Sequence, residues 1–268
     1  MTGPELDGWT QTQFEAGGTT KPVYRRGSGP AVIVIHEIPG ITPKVAEFAS
    51  MVVDRGFTVF MPSLVGTPGK APSGAYLASS VAKVCVSKEF STWALDATSP
   101  VISWLRALAK VAHAECGGPG VGAVGMCFSG GFALAMMIDD TVVAPVLSQP
   151  SLPFPAGKSD RFASLGLSDA DRRVVIDRAA TGCEVLGLRF SHDKLVPHAR
   201  WRALEDALGD KFISVTLDSS PANTHGHKAR AHSVLTEDLD NRAGTPTRAA
   251  LDQVLDFFTK KLSEAKGV

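Results

Sequence analysis

The chain has 268 residues, of which 44% are hydrophobic, and its 27 basic and 27 acidic side chains cancel to zero net charge. That balance excludes nucleic-acid binding driven by a basic face, and it excludes an acidic solvating tail. No stretch approaches ~18 uninterrupted apolar residues and the first residues lack an apolar signal core, so a soluble, cytoplasmic protein without membrane contact is expected.

In chain order, residues 9–16 and 21–26 read as a hairpin closed by Gly17 and Gly18. The fully apolar run Ala31 to Ile35 predicts a central strand. Val45 to Val53 carries helical periodicity and stops before Gly56, and Phe57 to Met61 is the next strand. Residues 62–80, rich in Pro, Gly and Ser, predict a loop bordering a site. Residues 89–112 predict a helical region interrupted by Pro100.

Val121 to Val124 suits a buried strand, and Phe132 to Met137 suits a buried helix. Val142 to Leu147 is a further strand, followed by a loop. Ser168 starts a helix over 169–180. A strand over Cys183–Phe190, a helix over Pro197–Leu208 and a strand over Phe212–Leu217 follow. Residues 219–246 form a polar loop with three histidines, and Thr247 to Leu262 is the closing amphipathic helix. Strands alternating with helices predict an α/β fold with a mostly parallel sheet. No repeat or composition shift marks a second unit, so a single domain over 1–268 is expected.

Parallel sheets present functional groups beyond the carboxyl ends of their strands. After the 120–125 strand comes Cys127, at the tip of a strand-to-helix turn in GVGAVGMCFSGGFALAMM. Small neighbours allow strand and helix to approach there, and the following helix points its amides at the thiol. Such a cysteine is also often a plain core residue. What favours chemistry is the order nucleophile, acid, histidine along the chain. Asp193, after the 183–190 strand, is the candidate acid, with Asp218 as fallback.

His232 is the candidate base, while His225 and His227 read as solvated loop residues rather than a metal pair. Glu37 follows an entirely apolar strand, where a carboxylate must be paired or hydrogen-bonded. The backbone amides of Ile38 and Phe128 are candidate oxyanion donors. The four cysteines, Cys85, Cys116, Cys127 and Cys183, make neither a CxxC pair nor a zinc pattern, and no metal or cofactor is expected. The glycines of GGPGVGAVG precede or lie within a strand, which excludes a dinucleotide loop.

The segments AVIVIHEIPGI, GFTVFMPSLVG, GMCFSGG, FSHDKLVP and AHS resemble, in order, the dienelactone hydrolases, a cysteine-nucleophile branch of the α/β-hydrolases. The resemblance implies an α/β-hydrolase fold and a triad of Cys127, His232 and Asp193. It implies that Glu37 holds the resting thiol and helps activate it, and that the Ile38 and Phe128 amides hold the oxyanion. The substrate implied is a small ester or lactone. A catalytically altered scaffold that binds a small molecule or protein partner is the competing function.

Two features depart from the family pattern. Ser129 precedes Gly130 and Gly131, which creates a rival register for the nucleophile. The stretch after the histidine, Ser233 to Glu237, lacks the arginine that would bind a substrate carboxylate, with Lys83 or Lys88 as possible substitutes.

Overall fold

The computed structural model describes residues 6–86, 99–151 and 163–263. Eight strands form one sheet: β1 (Thr10–Ala16), β2 (Thr19–Arg26), β3 (Ala31–Ile35), β4 (Thr58–Pro62), β5 (Val121–Met126), β6 (Val142–Ser148), β7 (Val185–Phe190) and β8 (Phe212–Leu217). Their spatial order is β1-β2-β4-β3-β5-β6-β7-β8. The β1–β2 hairpin pairs antiparallel and β2 joins β4 antiparallel; β4, β3, β5, β6, β7 and β8 run parallel to one another. The described helices are α1 (Pro43–Asp54), α2 (Gly74–Val86), α3 (Pro100–Cys116), α4 (Gly130–Met136), α5 (Asp169–Ala180), α6 (His198–Leu208) and α7 (Pro246–Leu262). This is the α/β-hydrolase architecture.

Alternation along β3 explains why its run is wholly apolar. Ala31, Ile33 and Ile35 join the core beneath α3 and α4, whereas Val32 and Val34 join the core beneath α1 and α7. Both faces are covered, so no position can be polar. Each such aliphatic side chain contributes about 1.5–3 kcal/mol by leaving water. Trp104, Phe132 and Trp201 fill the first core; Phe48, Leu251 and Phe258 fill the second.

Helix starts follow from local chemistry. Thr42, Ser168 and Thr245 each accept a backbone N–H from the first turn, and Pro43 and Pro246 occupy the first helical position. Pro100 does the same for α3: it begins the helix instead of interrupting one, because its missing N–H costs nothing there. The part of the expected 89–112 helix that precedes Ser99 lies outside the described residues. The loop expected over 62–80 ends earlier, at α2, whose polar, small-residue first turns carry a weak helical signal.

His36, at the end of β3, ties two loops together. Its Nδ1 lies 2.8 Å from the Glu37 carbonyl, while Nε2 accepts from the Leu64 and Val65 amides at 3.0 and 3.4 Å. Nδ1 is therefore the protonated nitrogen of a neutral ring. Burial pushes the His36 pKa down to about 4, against the smaller opposing pull of the Glu37 carbonyl.

The unfolded chain takes up this proton near 6.5 and the folded one only near 4. The stability from the neutral ring is thus complete above about pH 6.5 and is lost as pH falls toward 4, by about 3 kcal/mol in total. Urea unfolding should show wild type losing about 2–3 kcal/mol more than His36→Asn between pH 7 and pH 4.5. Parallel losses in the two proteins would contradict the assignment.

Candidate active site

The site is assembled beyond the carboxyl ends of β3, β5, β6, β7 and β8. Cys127 follows β5 directly and has a left-handed backbone, φ 56°, which is rare for a side chain with a Cβ. A tight turn over Cys127–Ser129 leads into α4. Glycine is required at two neighbouring points. A Cβ on Gly125 would collide with the Ser129 carbonyl, and one on Gly130 would stand 2.6 Å from the Pro150 Cα. The Phe128 ring is buried against Phe132, with ring centroids 5.5 Å apart.

Ser129 is fully buried and points into the fold. Its hydroxyl accepts the Met126 N–H at 2.8 Å and lies 2.9 and 3.0 Å from the Met126 and Ile35 carbonyls. It joins the ends of β3 and β5. The sulfur of Cys127, in contrast, is half-buried and lies 3.3 Å from the Ser151 hydroxyl.

Asp193 and His232, 39 positions apart, meet with Oδ2 2.6 Å from Nδ1. The other Asp193 oxygen accepts the Leu195 N–H at 2.9 Å, so the carboxylate is fixed at both ends. The outer nitrogen of the ring, Nε2, is buried without a hydrogen-bond partner. Burial lowers the proton affinity of His232, but the influence of Cys127 and the hydrogen-bonded carboxylate of Asp193 outweigh it and push the pKa up to about 11.

Glu37 is 4% exposed and is surrounded by neutral donors. Ser233 Oγ donates to Oε2 at 2.7 Å, Gln149 Nε2 donates to the same oxygen at 3.3 Å, and Thr236 donates to Oε1. Burial raises its pKa, and the hydroxyls of Thr236 and Ser233 draw it partly back. The contact between Glu37 and the resting thiol that the family resemblance implies is not among the hydrogen bonds of the described residues; Ser151 holds that place.

Asp238 adds a support that the sequence did not signal. Its Oδ2 accepts the backbone N–H groups of His232 and Ser233 at 2.8 and 3.1 Å. Gln149 and Ser151 were equally hidden, in a proline-containing loop with no recognisable motif.

The remaining candidates stand apart. Asp218 is exposed and bonds Ser191 and Ser220. His227 points Nδ1 at the Asp218 carbonyl, 2.7 Å away, and packs on Phe190; His225 lies beside it. No cluster that could hold a metal occurs among the described residues. Lys83 is exposed on α2, and Lys88 lies outside the described residues. The Ile38 amide belongs to the loop after β3, and the Phe128 amide to the turn after Cys127. No described helix is long and apolar enough to cross a membrane.

The chain is similar to a dienelactone hydrolase from Anabaena variabilis (TM-score 0.60, 14% identity, covering 95% of this chain and 98% of that one). It is similar also to a dienelactone hydrolase-like promiscuous phosphotriesterase from metagenomic libraries (TM-score 0.59, 17% identity, 95% and 98%). A cold-adapted esterase from an Arctic intertidal metagenomic library gives a TM-score of 0.60 at 15% identity, covering 97% of each chain. At such identities these likenesses speak for the fold. No curated protein matches the sequence. The sequence pattern of the dienelactone hydrolase family, however, matches residues 18–262, and the chain belongs to that family of hydrolases.

Proposed function

We propose that this enzyme hydrolyses small neutral esters or lactones through a covalent intermediate on Cys127, with His232 as proton carrier and Asp193 as its orienting acid. The observation that carries the reading is the 2.6 Å Asp193–His232 contact, which leaves the opposite ring nitrogen buried and unpaired, in a fold that holds Cys127 in a left-handed turn after β5. Proton transfer from the Cys127 thiol to His232 gives a thiolate and an imidazolium. The thiolate attacks the ester carbonyl, and the Ile38 and Phe128 amides receive the oxyanion. Collapse expels the alkoxide, which takes the proton from His232 and leaves a thioester and a neutral ring. Water then attacks the thioester, His232 accepts its proton, and the C–S bond breaks. Carboxylic acid leaves, and thiolate and imidazolium are restored.

Glu37 supports the loop of the base through Ser233 and Thr236. The thiols of Cys116, Cys127 and Cys183 are free, which suits a reducing compartment such as the cytoplasm.

Cys127→Ala should abolish hydrolysis of p-nitrophenyl esters with the fold intact. His232→Ala should lower turnover on the order of 10³-fold, and should also slow alkylation of Cys127 by iodoacetamide at neutral pH. Ser129→Ala should lose about 1–3 kcal/mol of stability yet keep substantial activity. An active cysteine variant beside a dead serine variant would move the nucleophile to Ser129. An acyl group that forms on Cys127 and never leaves would mark a binding scaffold instead of an enzyme.

Specificity follows from charge. The carboxylate of Asp193 lies against His232, and the place after the histidine holds the hydroxyls of Ser233 and Thr236, turned to Glu37, where a cation would be needed. A substrate carboxylate therefore meets negative charge without a fixed guanidinium. The specificity constant for the methyl ester of a dienelactone acid should exceed that for the free acid. A strong preference for the acid, lost on mutation of Lys83 or Lys88, would reverse this expectation.

A further inference from the structure

We propose that Ser151 is a positioning residue for the nucleophile: its hydroxyl donates to the Cys127 thiolate, and the rigid turn Gln149-Pro150-Ser151 aims it there. The inference rests on the reading of Cys127 as nucleophile. Three independent observations support it.

The first is the contact itself. Ser151 is 4% exposed, and its Oγ lies 3.3 Å from the sulfur. Its backbone N–H also donates to the Cys127 carbonyl at 3.0 Å. The same residue thus fixes both the main chain and the side chain of Cys127.

The second is strain. Cys127 and Gln149 are the non-glycine residues with left-handed backbones among the described ones, at φ 56° and 37°. Such conformations persist only where surrounding structure over-determines them. The two occur in facing turns joined by the Ser151–Cys127 bond.

The third is the anchoring of the turn. Gln149 is wholly buried; its N–H reaches the Leu188 carbonyl at 2.7 Å, its Oε1 accepts the Val234 N–H at 3.3 Å, and its Nε2 donates to Glu37. Pro150 packs on Gly130, and its carbonyl accepts from the buried Arg200 Nε at 2.8 Å. The turn therefore touches the loop of the base, the carboxylate that supports it, and the nucleophile.

The chemistry follows from the difference between thiolate and thioester sulfur. A thiolate is a charged acceptor, and a hydroxyl donor stabilises it; a thioester sulfur accepts weakly. Ser151 consequently favours the charged nucleophile once its proton has gone to His232. It favours again the moment in deacylation when the C–S bond breaks and the electron pair returns to sulfur. The proton from water still goes to His232, and Ser151 keeps its own throughout.

The test compares wild type, Ser151→Ala and Ser151→Gly. Ultraviolet titration of the thiolate, read against Cys127→Ala, should show it forming at higher pH in both variants than in wild type. Steady-state turnover of a p-nitrophenyl ester should drop about tenfold or more, with thioester accumulating on Cys127 in stopped-flow and mass spectra. A role confined to packing would lower stability without shifting the thiolate titration or trapping thioester. Wild-type thiolate titration and turnover in both folded variants would overturn the proposal. If wild type gains no acyl group on Cys127, the triad reading falls together with it; if it does and the variants match wild type, this inference alone falls.

Discussion

The left-handed backbone of Cys127 is the constraint around which the site is built. A non-glycine residue in that region costs of order 1–3 kcal/mol, and the surroundings leave it no other conformation. β5 delivers the chain from the centre of a parallel sheet, and α4 begins three residues later. Gly125 and Gly130 let the turn close against Ser129 and Pro150. Ser129 fastens the turn to the end of β3. Rotation of Cys127 into an ordinary conformation would move the sulfur and disturb these contacts together, so the strain is held by the packing of the turn against the core beneath α3 and α4.

Charge distribution is the second organising feature. The site contains buried or half-buried carboxylates at Glu37, Asp193 and Asp238, each satisfied in its own way. Asp193 faces the ring of His232, Asp238 faces backbone amides, and Glu37 faces hydroxyl and amide donors. Neutral donors can satisfy a buried carboxylate's lone pairs without cancelling its charge. His232, beside Cys127 and hydrogen-bonded to Asp193, gains proton affinity despite burial. His36, buried beside backbone groups alone, loses it. Two histidines in one small region are thus driven in opposite directions by what surrounds them.

Much of this was legible in the sequence, and much was not. The wholly apolar run of β3 determined a central parallel strand, because a strand covered on both faces has no polar position. The pattern of small residues about Cys127 determined a sharp turn after β5, because only glycine tolerates such close backbone approach. The order of cysteine, aspartate and histidine behind successive strands brought Asp193 and His232 to one sheet end, since parallel strands deliver their following loops to the same side. The start of α3 at Pro100 and the helix α2 escaped that reading: proline serves equally as helix breaker and first residue, and small polar residues give a faint periodic signal.

Only the tertiary structure decided the partners. Glu37 meets Ser233 and Thr236, 196 and 199 positions away, and the Cys127 sulfur meets Ser151 on a loop from a different strand. Nothing in local spacing encodes such pairings, because they depend on which loops the sheet order β3-β5-β6-β7-β8 sets side by side. Sequence periodicity determines which face of an element is buried; the strand order and the depth of each loop decide which polar group stands within hydrogen-bond reach of which.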